Sequence, residues 1–136
     1  MKKKSIYAYP AIFKAEDKGM YSASFPDIDG CFTCGNDVAD AIWMASDALA
    51  LMLYTMYEEK ELPMPDPTPI DKINTTKGSF VSYVLCDTRM YRRKFGSKAV
   101  KKTLTIPEWM NEAATEQNIN FSQVLQEALK QKLDVS

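Results

Sequence analysis

Three side chains that can hydrogen-bond to nucleic-acid bases alternate in the C-terminal quarter of the chain. Lys101, Thr103 and Thr105 occupy every second position, so in a β-strand they would share one face. Leu104 and Ile106 alternate with them and would share the opposite face. An ammonium group and two hydroxyls can bond to base edges in the DNA major groove, which admits a two-stranded ribbon. The pattern therefore predicts a base-reading strand whose other side faces a protein core.

Basic residues precede this strand and lie within it, whereas the first half of the chain is acidic. Residues 88–107 contain seven basic residues and no acidic one, and residues 15–71 contain twelve acids against two lysines. The net charge of −1 conceals this division. A basic segment beside a base-reading strand favours phosphate contacts, for which we predict Arg92, Arg93 and Lys98. The acidic half favours a basic partner.

Two short amphipathic helices are predicted after the strand. Pro107 suits the first turn of a helix, and Asn120 can cap the second helix, with Gln123 at the matching position of a capping box. The backbone N–H groups of Phe121 and Ser122 would suit a DNA phosphate. The apolar positions at helical spacing would form one core with the strand: Leu104, Ile106, Trp109, Val124, Leu125, Ala128 and Leu129.

A strand and two helices in fewer than 40 residues bury too little apolar surface to fold alone. We therefore expect a second copy to share the core, with the two strands paired. The order of strand, proline, helix, polar turn and the Asn120–Ser122 helix start resembles a ribbon-helix-helix DNA-binding domain. The resemblance implies that residues 100–136 form a homodimer, possibly paired into a tetramer, on operator DNA. The alternative is a strand and helix hairpin within a larger α+β core.

Residues 1–87 are expected to form a separate β-β-β-α-β domain, so the fold class is α+β. The predicted elements are strands at 5–13, 20–25, 31–34 and 79–87 and a helix from Asp37 to about residue 59. Alternating prolines at 63–69 favour an extended loop before the last strand. Residues 88–99 form a basic linker, either helical or flexible.

Several segments of the first domain resemble HicB antitoxins. These are Tyr9-Pro-Ala-Ile-Phe13, Gly19-Met-Tyr21, the run Phe25-Pro-Asp-Ile-Asp-Gly-Cys31, and Gly35 followed by an alanine-rich helix. The resemblance implies a partial RNase H-like fold that binds a small basic HicA-like toxin, an mRNA-cleaving ribonuclease. It also implies that the C-terminal domain represses the antitoxin's own operon.

Asp27 and Asp29 lie two residues apart in the Pro26–Gly30 loop. Paired carboxylates can hold two metal ions for nucleic-acid hydrolysis, so a metal-dependent RNase H-like nuclease is the alternative function. Aspartates in such a loop also favour turns through local backbone bonding. As exposed acids they are in addition candidates for contact with a basic toxin.

The composition excludes histidine-dependent nucleophiles and argues against a zinc site. The chain has no histidine, so a Ser-His or Cys-His nucleophile cannot form within it. Cys31 and Cys34 have C-x-x-C spacing, but without a second pair or a histidine they do not complete a zinc site, and alternation on a strand explains them better. We therefore expect no metal and no cofactor, and the resemblance to HicB antitoxins implies no enzyme activity.

The N-terminal residues lack the apolar core of a signal peptide, and no apolar stretch was expected to span a membrane. The sequence is thus interpreted as cytoplasmic. A third alternative remains open, in which a DNA-binding regulator senses a small ligand through its first domain.

Overall fold

The computed structural model describes residues 4–96 and 99–134 and divides the chain into two compact units, Met1–Lys98 and Ala99–Ser136. Among the described residues of the first unit, four strands form one antiparallel sheet in the order β3-β2-β1-β4. They are β1 (Ile6–Ala15), β2 (Tyr21–Ser24), β3 (Phe32–Gly35) and β4 (Ser79–Asp87). All four predicted strands are confirmed, and β4 has the predicted bounds.

One long helix covers one face of this sheet. It comprises α1 (Val38–Leu53) and a π-helical turn, Tyr54–Glu58. Asp37 caps it as predicted, because its carboxylate accepts the backbone N–H of Asp40 at 2.8 Å. Gly35 lets the helix approach closely, since a Cβ there would lie 2.2 Å from the backbone nitrogen of Ala41. The sequence therefore encodes both the start of α1 and its contact with β3.

The core of the first unit lies between this helix and the sheet. Ala41, Ala45 and Leu49 recur at every fourth position of α1 and are buried, opposite Phe13 of β1 and Val84 of β4. Small residues on the inner face bring the helix close to the sheet. The segment Val38–Glu58 is long and apolar enough to cross a bilayer, contrary to the expectation from sequence, but its packing on the sheet is that of a core helix.

A further helix, α2 (Arg89–Phe95), follows β4 directly. Tyr91 is buried in the core of the first unit, and its hydroxyl donates to Asp47 of α1 at 2.5 Å. The prediction that residues 88–99 form a separate linker was therefore wrong for most of that segment. The domain boundary lies after α2 rather than at residue 87 because Tyr91 of α2 is part of the core of the first unit.

The second unit contains two described helices, α3 (Glu108–Glu116) and α4 (Phe121–Leu133). Pro107 precedes α3, and the Asn120 side chain caps α4 by accepting the backbone N–H of Gln123 at 3.1 Å. The Gln123 side chain bonds to Glu127 instead of closing a capping box. Residues 99–106 have no regular secondary structure, so the strand predicted at 100–106 is not formed in the single chain. A strand needs a second strand for its backbone hydrogen bonds.

Candidate functional site

The face of the sheet opposite α1 is open among the described residues of the first unit. Residues paired across neighbouring strands share a face, and the register places Phe32 beside Ser24 and Leu85 beside Ala8. Phe32 is 76% exposed and Leu85 64% exposed, and Tyr83 of β4 is also exposed. Sheets bury an apolar face against another layer, so these side chains form a candidate protein-binding surface. We call it the open sheet face; it comprises Ile6, Ala8, Phe32, Tyr83 and Leu85.

The loop Pro26–Gly30 carries the sequence run that resembles the HicB family, and its residues have structural roles. Phe25, Ile28 and Cys31 are buried, and the loop is closed by hydrogen bonds from the Ile28 N–H to the Phe25 carbonyl and from the Cys31 N–H to the Ile28 carbonyl, both 3.2 Å long. Gly30 has a φ of 75°, a left-handed conformation that glycine adopts without strain. The run therefore forms a compact, hydrogen-bonded loop between β2 and β3, with its apolar side chains in the core.

Asp27 fastens the proline-rich segment to this loop. Its carboxylate accepts the Thr68 backbone N–H at 2.9 Å and the Thr68 hydroxyl at 2.5 Å. Tyr9 adds a second attachment, because its hydroxyl donates to the Pro65 carbonyl at 2.5 Å. Burial raises the pKa of Tyr9 to about 12, so this donor stays protonated at neutral pH.

These bonds revise the predicted toxin contacts. Both carboxylate oxygens of Asp27 are engaged by Thr68, which makes Asp27 a structural residue rather than a free acid. Asp29 remains exposed in the same loop. Only Asp29 of the pair is therefore available to an incoming cation.

The two cysteines of the C-x-x-C run differ in environment. Cys31 is buried, and this burial raises the pKa of its thiol to about 11, whereas Cys34 is exposed on β3. A protonated thiol is a poor nucleophile and metal ligand. In the part of the chain that the structure describes, no group of three His, Cys, Asp or Glu side chains is placed to hold a metal ion.

A polar network fixes α2 to the π-helical turn and corrects one predicted DNA contact. Arg92 forms an ion pair with Glu58, whose side chain is only 5% exposed, and also donates to the Lys4 carbonyl at 2.9 Å. Thr88, which is fully buried, lies within 3.3 Å of both side chains. Arg92 was predicted to bind a phosphate, but its guanidinium group is committed to this network. A carboxylate thirty-four positions earlier in sequence could not be assigned as its partner without the fold.

The other two predicted phosphate contacts have different outcomes. Arg93 is exposed on α2 within the first unit, together with Lys94. Lys98 lies outside the described residues. Arg93 thus belongs to the first unit, and its contact with DNA stays a prediction.

The second unit has no core of its own. None of its described residues, 99–134, is buried. Of the seven predicted dimer-core residues, only Leu125 is half-buried, and the other six are exposed: Leu104, Ile106, Trp109, Val124, Ala128 and Leu129. Leu104 is 64% exposed. Isolated helices of this length are marginal in water, so the unit needs another surface to cover these side chains.

The predicted DNA contacts in the second unit are all exposed. Lys101, Thr103 and Thr105 lie in the segment before α3. At the start of α4, the Asn120 cap takes the N–H of Gln123 and leaves the N–H groups of Phe121 and Ser122 with no protein acceptor in residues 99–134. Such N–H groups at a helix start suit an anion.

Two surfaces could not be predicted from the residue pattern. The open sheet face combines residues from β1, β3 and β4, whose alignment depends on register. The groove between α1 and α2, which is about 830 Å³ in volume, required knowledge that residues 89–95 are helical and packed on α1. The sequence feature that could have indicated the groove was Trp43, a large aromatic residue on an alanine-rich helix.

Comparison with known proteins identifies the family. A family model described as the HicB-like antitoxin of bacterial toxin–antitoxin systems matches residues 9–129. Antitoxin HicB 1 of Photorhabdus laumondii is 34% identical over 67 residues, which make up 48% of this chain and 43% of that protein. The present chain thus spans less than half the length of this relative.

Solved structures agree with the family match. A chain in a toxin–antitoxin complex from Streptococcus pneumoniae is 28% identical with a TM-score of 0.59, and the alignment covers 93% of this chain and 99% of that one. The crystal structure of antitoxin HicB3 is 30% identical with a TM-score of 0.50, covering 96% and 99% of the two chains. These matches do not favour the nuclease alternative. The chain belongs to the HicB-like antitoxin family of bacterial toxin–antitoxin systems.

Proposed function

We propose that this chain is a cytoplasmic antitoxin whose first unit binds and inhibits a small basic HicA-like ribonuclease. The observation that carries the proposal is the open sheet face on an otherwise complete domain. Its similarity to a chain in a toxin–antitoxin complex supports the same interpretation. The toxin would be inhibited by steric block of its RNA site or by covering of its catalytic residue.

Charge and apolar area have separate roles in this binding. The apolar side chains Phe32, Tyr83 and Leu85 supply buried area, which is the main favourable term in association. Acidic residues such as Asp29 in the adjoining loop attract a basic toxin over longer distances and accelerate its association. Added salt should therefore slow association more than it speeds dissociation.

The test is an RNA-cleavage assay with a small basic HicA-like ribonuclease as the toxin. Phe32→Ser and Leu85→Ser should weaken inhibition, because each removes a large exposed side chain from the proposed interface. Each substitution is expected to raise the inhibitory concentration about tenfold. Val38→Ser, on the exposed side of α1, is the matched control and should inhibit like the unmodified chain. Full inhibition by both sheet-face variants would refute this surface.

The second unit is proposed to dimerise and to bind operator DNA, and so to repress the antitoxin's own operon. Pairing of residues 100–106 with the same segment of a second copy would satisfy their backbone groups and cover the exposed side chains of Leu104, Ile106 and Trp109. The resulting ribbon would carry Lys101, Thr103 and Thr105 into the major groove. The N–H groups of Phe121 and Ser122 would bind a phosphate.

Base reading and phosphate binding can be separated by substitution. Thr103→Ala should lower affinity for operator DNA about tenfold, with little change for random DNA, because base contacts specify and phosphate contacts position. Lys98→Ala, at a predicted phosphate contact, should weaken binding to both DNAs to a similar extent. Equal losses on both DNAs for Thr103→Ala would show that this face does not read bases.

A further inference from the structure

The groove between α1 and α2 is lined by one face of each helix. On α1 the lining residues are Trp43, Ser46, Asp47 and Ala50, and on α2 they are Arg89, Met90, Arg93 and Lys94, with Asp87 at the end of β4. Residues three and four apart share a helix face, so both walls are regular surfaces. The volume of about 830 Å³ lies in the range of small-molecule sites, roughly 300–1,000 Å³.

Several polar groups of the groove are already paired. The Ser46 hydroxyl donates to the Leu85 carbonyl at 2.6 Å, and the Asp47 carboxylate accepts the Tyr91 hydroxyl at 2.5 Å. The Asp87 carboxylate holds Arg89 at 2.7 Å. The carboxylates of the groove are thus already bonded within the domain and are less available to bind a cation.

The groups that remain available are cationic and aromatic. Arg93 and Lys94 are exposed and have no carboxylate partner in residues 4–96. Trp43 on the opposite wall is 68% exposed, and Met90 beside the cations is also exposed. An indole opposite a guanidinium and an ammonium group is a combination that binds the base and the phosphate of a nucleotide.

Charge selects among possible ligands. Four of the basic residues of the first unit lie on α2, whereas residues 15–71 carry twelve acids. A basic toxin would be repelled by Arg93 and Lys94, and double-stranded nucleic acid would bring many phosphates close to Asp47 and Asp87, which line the same groove. A ligand with few phosphates and an unstacked base satisfies both constraints.

We propose that the α1–α2 groove binds a nucleotide, with its base stacked on Trp43 and its phosphate held by Arg93 and Lys94. The ligand is either a free mononucleotide or one nucleotide of a single strand. The groove is distinct from the open sheet face, because α1 lies on the opposite side of the sheet from that face. Nucleotide binding would thus add a ligand-binding function to an antitoxin domain, as in the ligand-sensing alternative raised by the sequence.

The experiment titrates the full chain with adenosine 5′-monophosphate while the indole N–H signals of its two tryptophans are followed by NMR. Trp43→Phe assigns the Trp43 signal. Adenosine monophosphate should shift this signal, and ribose 5-phosphate, which lacks the base, should bind about tenfold more weakly. A short single-stranded RNA tests the second ligand source; tighter binding than the mononucleotide identifies the strand as the natural form.

Charge variants complete the test. The double variant Arg93→Gln, Lys94→Gln should weaken nucleotide binding at least about tenfold, and the matched double variant Lys72→Gln, Lys77→Gln, elsewhere on the same unit, should not. The proposal is overturned if neither nucleotide nor RNA shifts the Trp43 signal. It is also overturned if a glutamate-rich peptide binds as tightly as the nucleotides, because the groove would then recognise negative charge alone.

Discussion

The two units of this HicB-like family member differ in how far they bury their apolar residues. The first unit buries Phe13, Leu49 and Leu53 completely between a helix and a sheet, whereas no described residue of the second unit is buried. Both contain amphipathic elements with correct caps. Local signals therefore suffice to form helices in either unit, but only the first has enough layers to make a core. We propose that the second obtains its core from another molecule.

The largest expected effect concerns this dependence on a partner. Leu104→Asp would place a carboxylate in the proposed shared core, where an unpaired charge is strongly unfavourable. We expect the full chain to become monomeric by light scattering and to lose operator binding, while the first unit keeps its fold. The matched control Thr103→Ala, one position away on the other face, should remain dimeric.

Separate fragments sharpen the same contrast. Residues 1–98 should unfold in urea at a midpoint independent of protein concentration. Residues 99–136 should fold only as dimers, with a midpoint that rises with concentration. A concentration-independent transition of the second fragment would mean that it has a core of its own.

The next effect is expected at the ion pair between Glu58 and Arg92. Glu58→Gln keeps the shape of the side chain but removes the charge that compensates a largely buried guanidinium group. In residues 1–98 we expect the free energy of unfolding to fall by about 3 kcal/mol. Asp87→Asn removes the exposed pair with Arg89 and should have a much smaller effect, because solvent screens exposed ion pairs. Similar costs for both variants would contradict the role given to the buried network.

A smaller effect is expected where the proline-rich segment is attached. Thr68→Val removes the hydroxyl donor to Asp27 and should lower the free energy of unfolding by about 1 kcal/mol. It should also raise amide hydrogen exchange around residues 63–69. Asp29→Asn, in the same loop but exposed, is the control and should leave both measurements unchanged.

The smallest effect at neutral pH concerns ionisation. The hydrogen bond to Asp47 and burial raise the pKa of Tyr91 to about 12, and burial raises that of Cys86 to about 12. In each case the fold stabilises the neutral form of the side chain. Its contribution to stability is therefore complete below the pKa of the unfolded state and is lost as pH rises through the pKa of the folded state. Residues 1–98 should thus keep constant stability to about pH 9 and lose it progressively toward about pH 12. Tyr91→Phe should flatten this dependence, and unchanged stability at about pH 11 would contradict it.

The sequence predicted most of the elements because their signals are local. Alternation defined β4, the Asp37 cap defined the start of α1, and Asn120 defined the start of α4. Function-related residues were predicted less well where they depend on long-range pairing. Arg92 resembled a phosphate ligand because it lies in a basic run, and only the fold reveals Glu58 beside it. Asp27 looked like an exposed acid because Thr68 lies forty-one positions away.

The pairing of β1 with β4 also sets the order in which the protein can form. Ile6 pairs with Asp87, so the first strand of the chain is completed by the last strand of its domain. A nascent chain leaving the ribosome cannot close this sheet until β4 has emerged, and pairings between distant segments form slowly. The open sheet face therefore exists only after nearly all of the first unit has been synthesised. A chain that ends before β4 would lack Tyr83 and Leu85 and would therefore not form this face.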